Sequence, residues 1–192
     1  MPAAIAVLAA SAFLLFYNLG AYRLWDDEAE EAILAEQVWR TGDTSALVDD
    51  NIIAYNQGAQ LRNLHDRANS PLPFYFLAPF LGGKATGALR PRLPFAACGL
   101  VFIGLLLVWL WKAEADRTAW LVFGMAILGN VPLFLYFRQA RYFGITLLCS
   151  LVVGYLYLRW NGSRRDQRPS CGPGSSCQGI ARSGAGALQR RG

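Results

Sequence analysis

Four apolar runs with uncharged centres alternate with polar connections along this chain: Ala3 to Gly20, Leu93 to Trp111, Thr118 to Phe137 and Tyr142 to Trp160. At about 1.5 Å rise per residue, each is long enough as a helix to span roughly 30 Å of bilayer hydrocarbon. A fifth stretch, residues 72–89, is apolar only from Leu72 to Gly83, and Lys84 follows at once. It reads as a tilted span or a re-entrant helix. The pattern predicts an all-α, polytopic protein with four to five transmembrane helices. Its membrane domain covers residues 1–160, with spans at about 3–20, 72–89, 93–111, 118–137 and 142–160. An outer loop occupies residues 21–71. The first run lacks a basic start and a small-residue cleavage site, so it reads as a retained helix rather than a signal peptide.

Within the loop, a period near 3.6 predicts a helix from Asp27 to Thr41. Ala29, Ala32, Ile33, Ala35, Val38 and Trp39 share one side, and Glu30, Glu31 and Arg40 lie away from it. This juxtamembrane helix is expected to lie along the membrane surface. Asp27 and Glu30 have the spacing of a capping box, while Arg40 and Gly42 supply a cationic last turn and a stop.

Composition agrees with a membrane solvent, since 54% hydrophobic and 16% charged residues leave too little polar surface for a soluble domain. Trp25, Trp109, Trp111, Trp120 and Trp160 fall near the ends of the runs, where amphipathic rings favour the interface. Charge then separates loop from tail. From Asn161 onward six Arg and one Asp account for the whole net charge of +5, in a Gly-, Ser- and Pro-containing stretch without hydrophobic period. Residues 161–192 are therefore expected to be a disordered tail. Asp26 to Asp66 holds ten acidic groups, which makes the loop anionic and places it outside by the positive-inside rule, with Lys84, Arg90 and Arg92 on the cytoplasmic side. The lipid bilayer is the expected partner and nucleic acid is not. Cys98, Cys149, Cys171 and Cys177 show no compelling pairing or metal spacing.

Three clusters carry candidate chemistry. Asp27 or Glu28 is a carboxylate at a membrane face, where partial desolvation raises basicity toward accepting a hydroxyl proton; a capping role is the structural alternative and can coexist with it. Arg62, His65, Asp66 and Arg67 precede Pro71-Leu72-Pro73, where the cations are candidate phosphate contacts and His65 a candidate ligand for a divalent metal. A solvated loop face explains the same residues. Arg138, Arg141 and Tyr142 interrupt two apolar stretches. The arginines are either snorkelling anchors or a phosphate clamp, for which the planar guanidinium fork is suited.

The order of Leu24-Trp25-Asp26-Asp27-Glu28-Ala29, a surface helix ending in Thr41-Gly42-Asp43, Pro71-Leu72 before aromatics, and Arg92-Leu93-Pro94 resembles a known group. It is similar to the amino-terminal part of polytopic, polyprenyl-phosphate-sugar-dependent glycosyltransferases of the GT-C type, which include protein mannosyltransferases and lipid A aminoarabinose transferases. The resemblance covers roughly Ala3 to Trp160. It implies that Asp27, with Glu28 as its acidic neighbour, assists an acceptor hydroxyl, and that the donor is a polyprenyl-phosphate-linked sugar. Arg138, Arg141 and Tyr142, with Arg62, His65 and Arg67, become candidate substrate-binding residues. No certain cofactor is implied, and the location expected is a bacterial inner membrane with the loop outside. Asn69-Ser70-Pro71 stands where many relatives carry Lys-Pro-Pro or His-Pro-Pro. Relatives also continue into many more helices, so the resemblance implies a truncated chain, or a partner chain that supplies the missing helices. The alternative from another class is a small non-enzymatic membrane protein, transporter-like or an assembly subunit.

Overall fold

The computed structural model describes residues 2–52, 61–63, 65–66, 70–82, 87–113 and 116–166. Among them are seven helices: α1 (Pro2–Phe16), α2 (Asp26–Thr41), α3 (Leu72–Leu81), α4 (Leu89–Lys112), α5 (Arg117–Leu128), α6 (Val131–Arg138) and α7 (Phe143–Asp166). Two antiparallel two-residue ladders, β1 (Leu47–Val48) with β2 (Asn51–Ile52) and β3 (Leu61–Arg62) with β4 (His65–Asp66), decorate the loop. The chain divides into two units, Met1–Val152 and Val153–Gly192.

α4 and the Phe143–Gly162 part of α7 are long and apolar enough to cross a membrane. α5 and α6 make a third such length only if taken together across a 54° bend. The break has a local cause. The Asn130 side chain accepts the Leu133 amide at 3.1 Å and starts a new helix, and Pro132, in the first turn of α6, has no amide to continue the old one. α1, at fifteen residues, and α3, at ten, are shorter than a full span. The first residues of the expected tail, 161–166, are the end of α7, and the rest of that stretch lies outside the described residues. In the second unit Val153, Leu156, Tyr157 and Trp160 are exposed along that helix.

α3 fails as a span for a visible reason. It is apolar all round, yet only about 15 Å long, and it stops at Gly82, whose φ of 58° ends the helix in the left-handed region. One side of it packs under α2, where Ala32, Leu34, Ala35 and Val38 meet Phe74, Leu77, Ala78 and Leu81. The Tyr75 hydroxyl donates to the carbonyl of Gly42, itself the left-handed end of α2 at φ 81°. At the start of α4, Arg92 donates to Glu28 of α2. That corrects the expectation that Arg92 lies across a membrane from the acidic loop.

A second core joins α1, α4, α5 and α6 through Leu15, Ala96, Ile103, Ile127, Phe134 and Phe137. Gly99 is needed where α4 meets α6, since a Cβ there would fall 2.6 Å from the Phe137 ring.

Candidate functional site

α2 begins one residue earlier than its sequence predicts. Trp25 is the N-cap, and its amide donates to Glu28 Oε2 at 3.2 Å, so Glu28, not Glu30, is the carboxylate that folds back onto the helix start. Tryptophan has no side-chain acceptor to return, so the cap is one-sided. The buried face is also turned. Glu28, Glu31, Ala32, Ala35 and Val38 are buried, whereas Trp39 is exposed and Ala29 and Ile33 are half-buried.

Glu28 is 2% exposed and sits at the centre of a polar knot. Arg92 grips it side-on, Nε to Oε1 at 3.0 Å and Nη2 to Oε2 at 2.6 Å. The remaining Arg92 donors go to the carbonyls of Leu19 (3.1 Å), Tyr22 (3.0 Å) and Arg23 (3.1 Å). Ala140, in the turn between α6 and α7, donates its amide to Glu28 Oε1 at 2.8 Å. Four donors on a carboxylate and five acceptors around a guanidinium leave neither ion short of partners. Burial alone pushes the Glu28 pKa up, but the Arg92 guanidinium and the amides of Ala140 and Trp25 outweigh it and hold the group below its ordinary value. Glu28, expected beside Asp27 as a reacting acid, is thus the tie between the start of α2, the N-terminal end of α4 and the turn after α6.

One turn further along α2, Glu31 is 8% exposed and, among the described residues, accepts only the Tyr142 amide, at 3.3 Å. Its Oε2 is buried without a hydrogen-bond partner among the described residues, as is Nε of Arg141. Desolvation pushes its pKa up to about 8; the Tyr142 amide and Arg141 oppose the rise, and Glu30 and Asp27 add to it. The sequence assigned Glu31 to the polar side of α2, and nothing local distinguished it from Glu30.

Asp27 stands at the edge of this knot. Its carboxylate is 41% exposed and pairs with Arg141, Oδ2 to Nη1 at 3.0 Å. Arg141 also lies over the rings of Tyr142 and Phe143, at 5.7 and 5.2 Å. Arg138 donates to the carbonyl of Leu14 in the last turn of α1. Asp27, Arg138 and Arg141 then line one cleft of about 600 Å³, together with Arg23, Trp25 and Gln139. The residues that converge come from α2, the end of α6 and the turn after it, so the 54° bend and the Glu28 tie jointly position them.

The other candidates lie apart from this cleft. Arg62 is exposed in the β3–β4 ladder. His65 faces Asp43, Nδ1 to Oδ2 at 3.5 Å, and bridges to Ser45. Neither lines the cleft. Arg67 lies outside the described residues. Tyr142 does not line the cleft either; its amide donates to Glu31, and its ring lies beside Phe143 at 4.2 Å between centroids. Among the described residues no group of three or more His, Cys, Asp or Glu converges as a metal site.

At the opposite end of the helices, Ala4, Ile5, Leu8, Gly104, Trp111 and Trp120 line an open, mainly apolar groove of about 350 Å³ without a titratable side chain. Comparison with family models, with curated proteins and with solved structures finds no match to this chain.

Proposed function

We propose that this protein is a membrane glycosyltransferase that moves a sugar from a polyprenyl-phosphate donor to an acceptor hydroxyl, at the outer face of a bacterial inner membrane. The observation that supports it is the convergence of one part-exposed carboxylate, Asp27, with the guanidinium groups of Arg138 and Arg141 in a single cleft at the helix ends. Such an arrangement suits a displacement in which a proton is removed at one wall and negative charge develops at the other. The resemblance of Trp25 to Ala29 and Arg92 to Pro94 to the GT-C enzymes supplies the donor class. The excess of acid in the loop supports its outward orientation.

In this scheme the acceptor oxygen attacks the anomeric carbon as its proton passes to Asp27. The bond from that carbon to the donor phosphate breaks, and the phosphate leaves as a monoester with one more negative charge than it carried as a diester. Arg141 holds Asp27 at 3.0 Å in the resting pair. A phosphate in the cleft competes for the same guanidinium, so donor binding frees Asp27 for the hydroxyl. Glu28 takes no part in proton transfer here; it positions the turn that presents Arg138 and Arg141.

Asp27→Asn in a membrane preparation tests this directly. Sugar transfer from a polyprenyl-phosphate donor is expected to fall by about 100-fold or more, the usual weight of a general base, while thermal unfolding stays near that of the parent. Unchanged transfer by the folded variant removes Asp27 as the base. A second reading, a non-enzymatic transporter-like or assembly subunit, is favoured by the contacts of Arg141 with Asp27 and Arg138 with Leu14, which also serve as structural ties. It predicts neither transfer nor donor binding by the parent chain.

A further inference from the structure

Arg23 is the cleft cation that sequence reasoning passed over. Its backbone carbonyl is pinned by Arg92 Nη2 at 3.1 Å, so the buried Glu28 knot fixes where the residue sits. Its side chain is exposed, lines the cleft and has no hydrogen bond or ion pair among the described residues. The local charges then add up simply. Among the described residues, Arg92 is matched by Glu28 and Arg141 by Asp27, while Arg138 meets only a neutral carbonyl and Arg23 meets nothing charged. Two positive charges are left over in one cleft of about 600 Å³.

The surroundings identify what carries the matching anion. Tyr22 and Trp25, on either side of Arg23, are 76% and 69% exposed, and Leu135 of α6 presents an apolar wall to the cleft at 52% exposure. Exposed aromatics beside helix ends belong at the level of lipid headgroups. A free, fully hydrated anion gains nothing from Leu135, whereas an anion with a hydrocarbon chain places that chain along α6 and its head between the two arginines. We infer that Arg23 and Arg138 form a seat for a phosphate group carried on a lipid, with Arg23 as its adaptable arm and Arg138 as its fixed one. This deepens the proposed function by naming the donor's phosphate contact, and it rests on that function only for the identity of the lipid.

Binding tests it apart from transfer. The full chain in nanodiscs of neutral phosphatidylcholine is titrated with farnesyl phosphate, farnesol and inorganic phosphate. Farnesyl phosphate is expected to bind at least tenfold more tightly than farnesol, and Arg23→Gln to lose about tenfold or more, the worth of one charge-assisted contact. Arg23→Lys keeps most of the affinity, and added salt weakens the parent more than Arg23→Gln. Equal binding of farnesyl phosphate by the parent and Arg23→Gln overturns the seat. Competition by inorganic phosphate as effective as by farnesyl phosphate overturns its assignment to a lipid. Farnesyl phosphate binding that depends on Arg23 in a chain without sugar transfer upholds the seat and removes the transferase proposal; transfer that proceeds unchanged in Arg23→Gln does the reverse.

Discussion

The first and second turns of α2 each bury a carboxyl group against the turn between α6 and α7, and the two groups live in opposite electrostatic circumstances. Glu28 receives four donors, two of them from a guanidinium, and its pKa is held below the ordinary value. Glu31 receives one amide at 3.3 Å, and burial drives it up to about 8. Three residues of separation on one helix face thus divide a fully satisfied ion from a group that is largely protonated at neutral pH. The difference teaches that depth of burial alone does not set the charge state; the count of donors delivered by distant segments does.

The largest expected effect comes from breaking the satisfied side. Glu28→Leu leaves Arg92 buried without its counter-ion and strips the Ala140 and Trp25 amides of their acceptor, which should cost about 3–5 kcal/mol. Arg92→Met should cost a similar amount, because the carbonyls of Leu19, Tyr22 and Arg23 lose their donors as well. The double variant should cost about as much as either single one, since either alone already opens the knot. Thermal or denaturant unfolding in detergent reads all three. A loss below about 1 kcal/mol in both single variants would show that the knot is not a structural tie.

The Glu31 side gives a pH-dependent effect. Because its folded pKa is raised from an ordinary 4.5 to about 8, the folded chain holds a proton that the unfolded chain has released between those values. Its contribution is fully present below pH 4.5 and is lost as pH rises toward 8. Stability should therefore decline across that window, by at most about 1.4 kcal/mol per pH unit. Glu28 acts in the opposite sense, since its contribution is present above its ordinary value and is lost only as pH falls below it. Glu31→Gln should flatten the decline between pH 5 and 8 and leave the acid limb unchanged. A decline as steep as that of the parent would assign the slope to other groups.

Little of this contrast was legible in the sequence, although the helix that carries it was. A period near 3.6 located α2, and hydropathy located α4 and the apolar part of α7, because those signals are local. The buried face of α2 was misjudged because periodicity consigns carboxylates to water. The donors that overrule it come from 64 positions away for Arg92, and from 112 and 111 positions away for the Ala140 and Tyr142 amides. Arg92 was counted as a loop charge for the same reason. The short length of α3 was foreshadowed by Gly82, Gly83 and Lys84, but its cover by α2 was not. Asp27, Arg138 and Arg141 were legible as chemistry, since charged residues between apolar runs stand out, and the structure brings those three to one cleft. Arg62 and His65 stood out equally and lie elsewhere, which shows that residue type alone does not establish convergence.

The smallest stability effect is expected at Asp27, and it sharpens the comparison from outside the buried face. Its pair with Arg141 is well formed at 3.0 Å, but the two side chains are 41% and 30% exposed, so water screens the attraction and solvates either partner when the other is removed. Asp27→Asn should change stability by no more than about 1 kcal/mol, against the several expected at Glu28 one position later. The two adjacent acids then separate by readout. If the cleft performs the proposed transfer, the variant with the smaller effect on unfolding has the larger direct effect on the reaction. If Asp27→Asn unfolds the chain as severely as Glu28→Leu, Asp27 belongs to the tie that holds α2, and its exposure to the cleft has no chemical consequence.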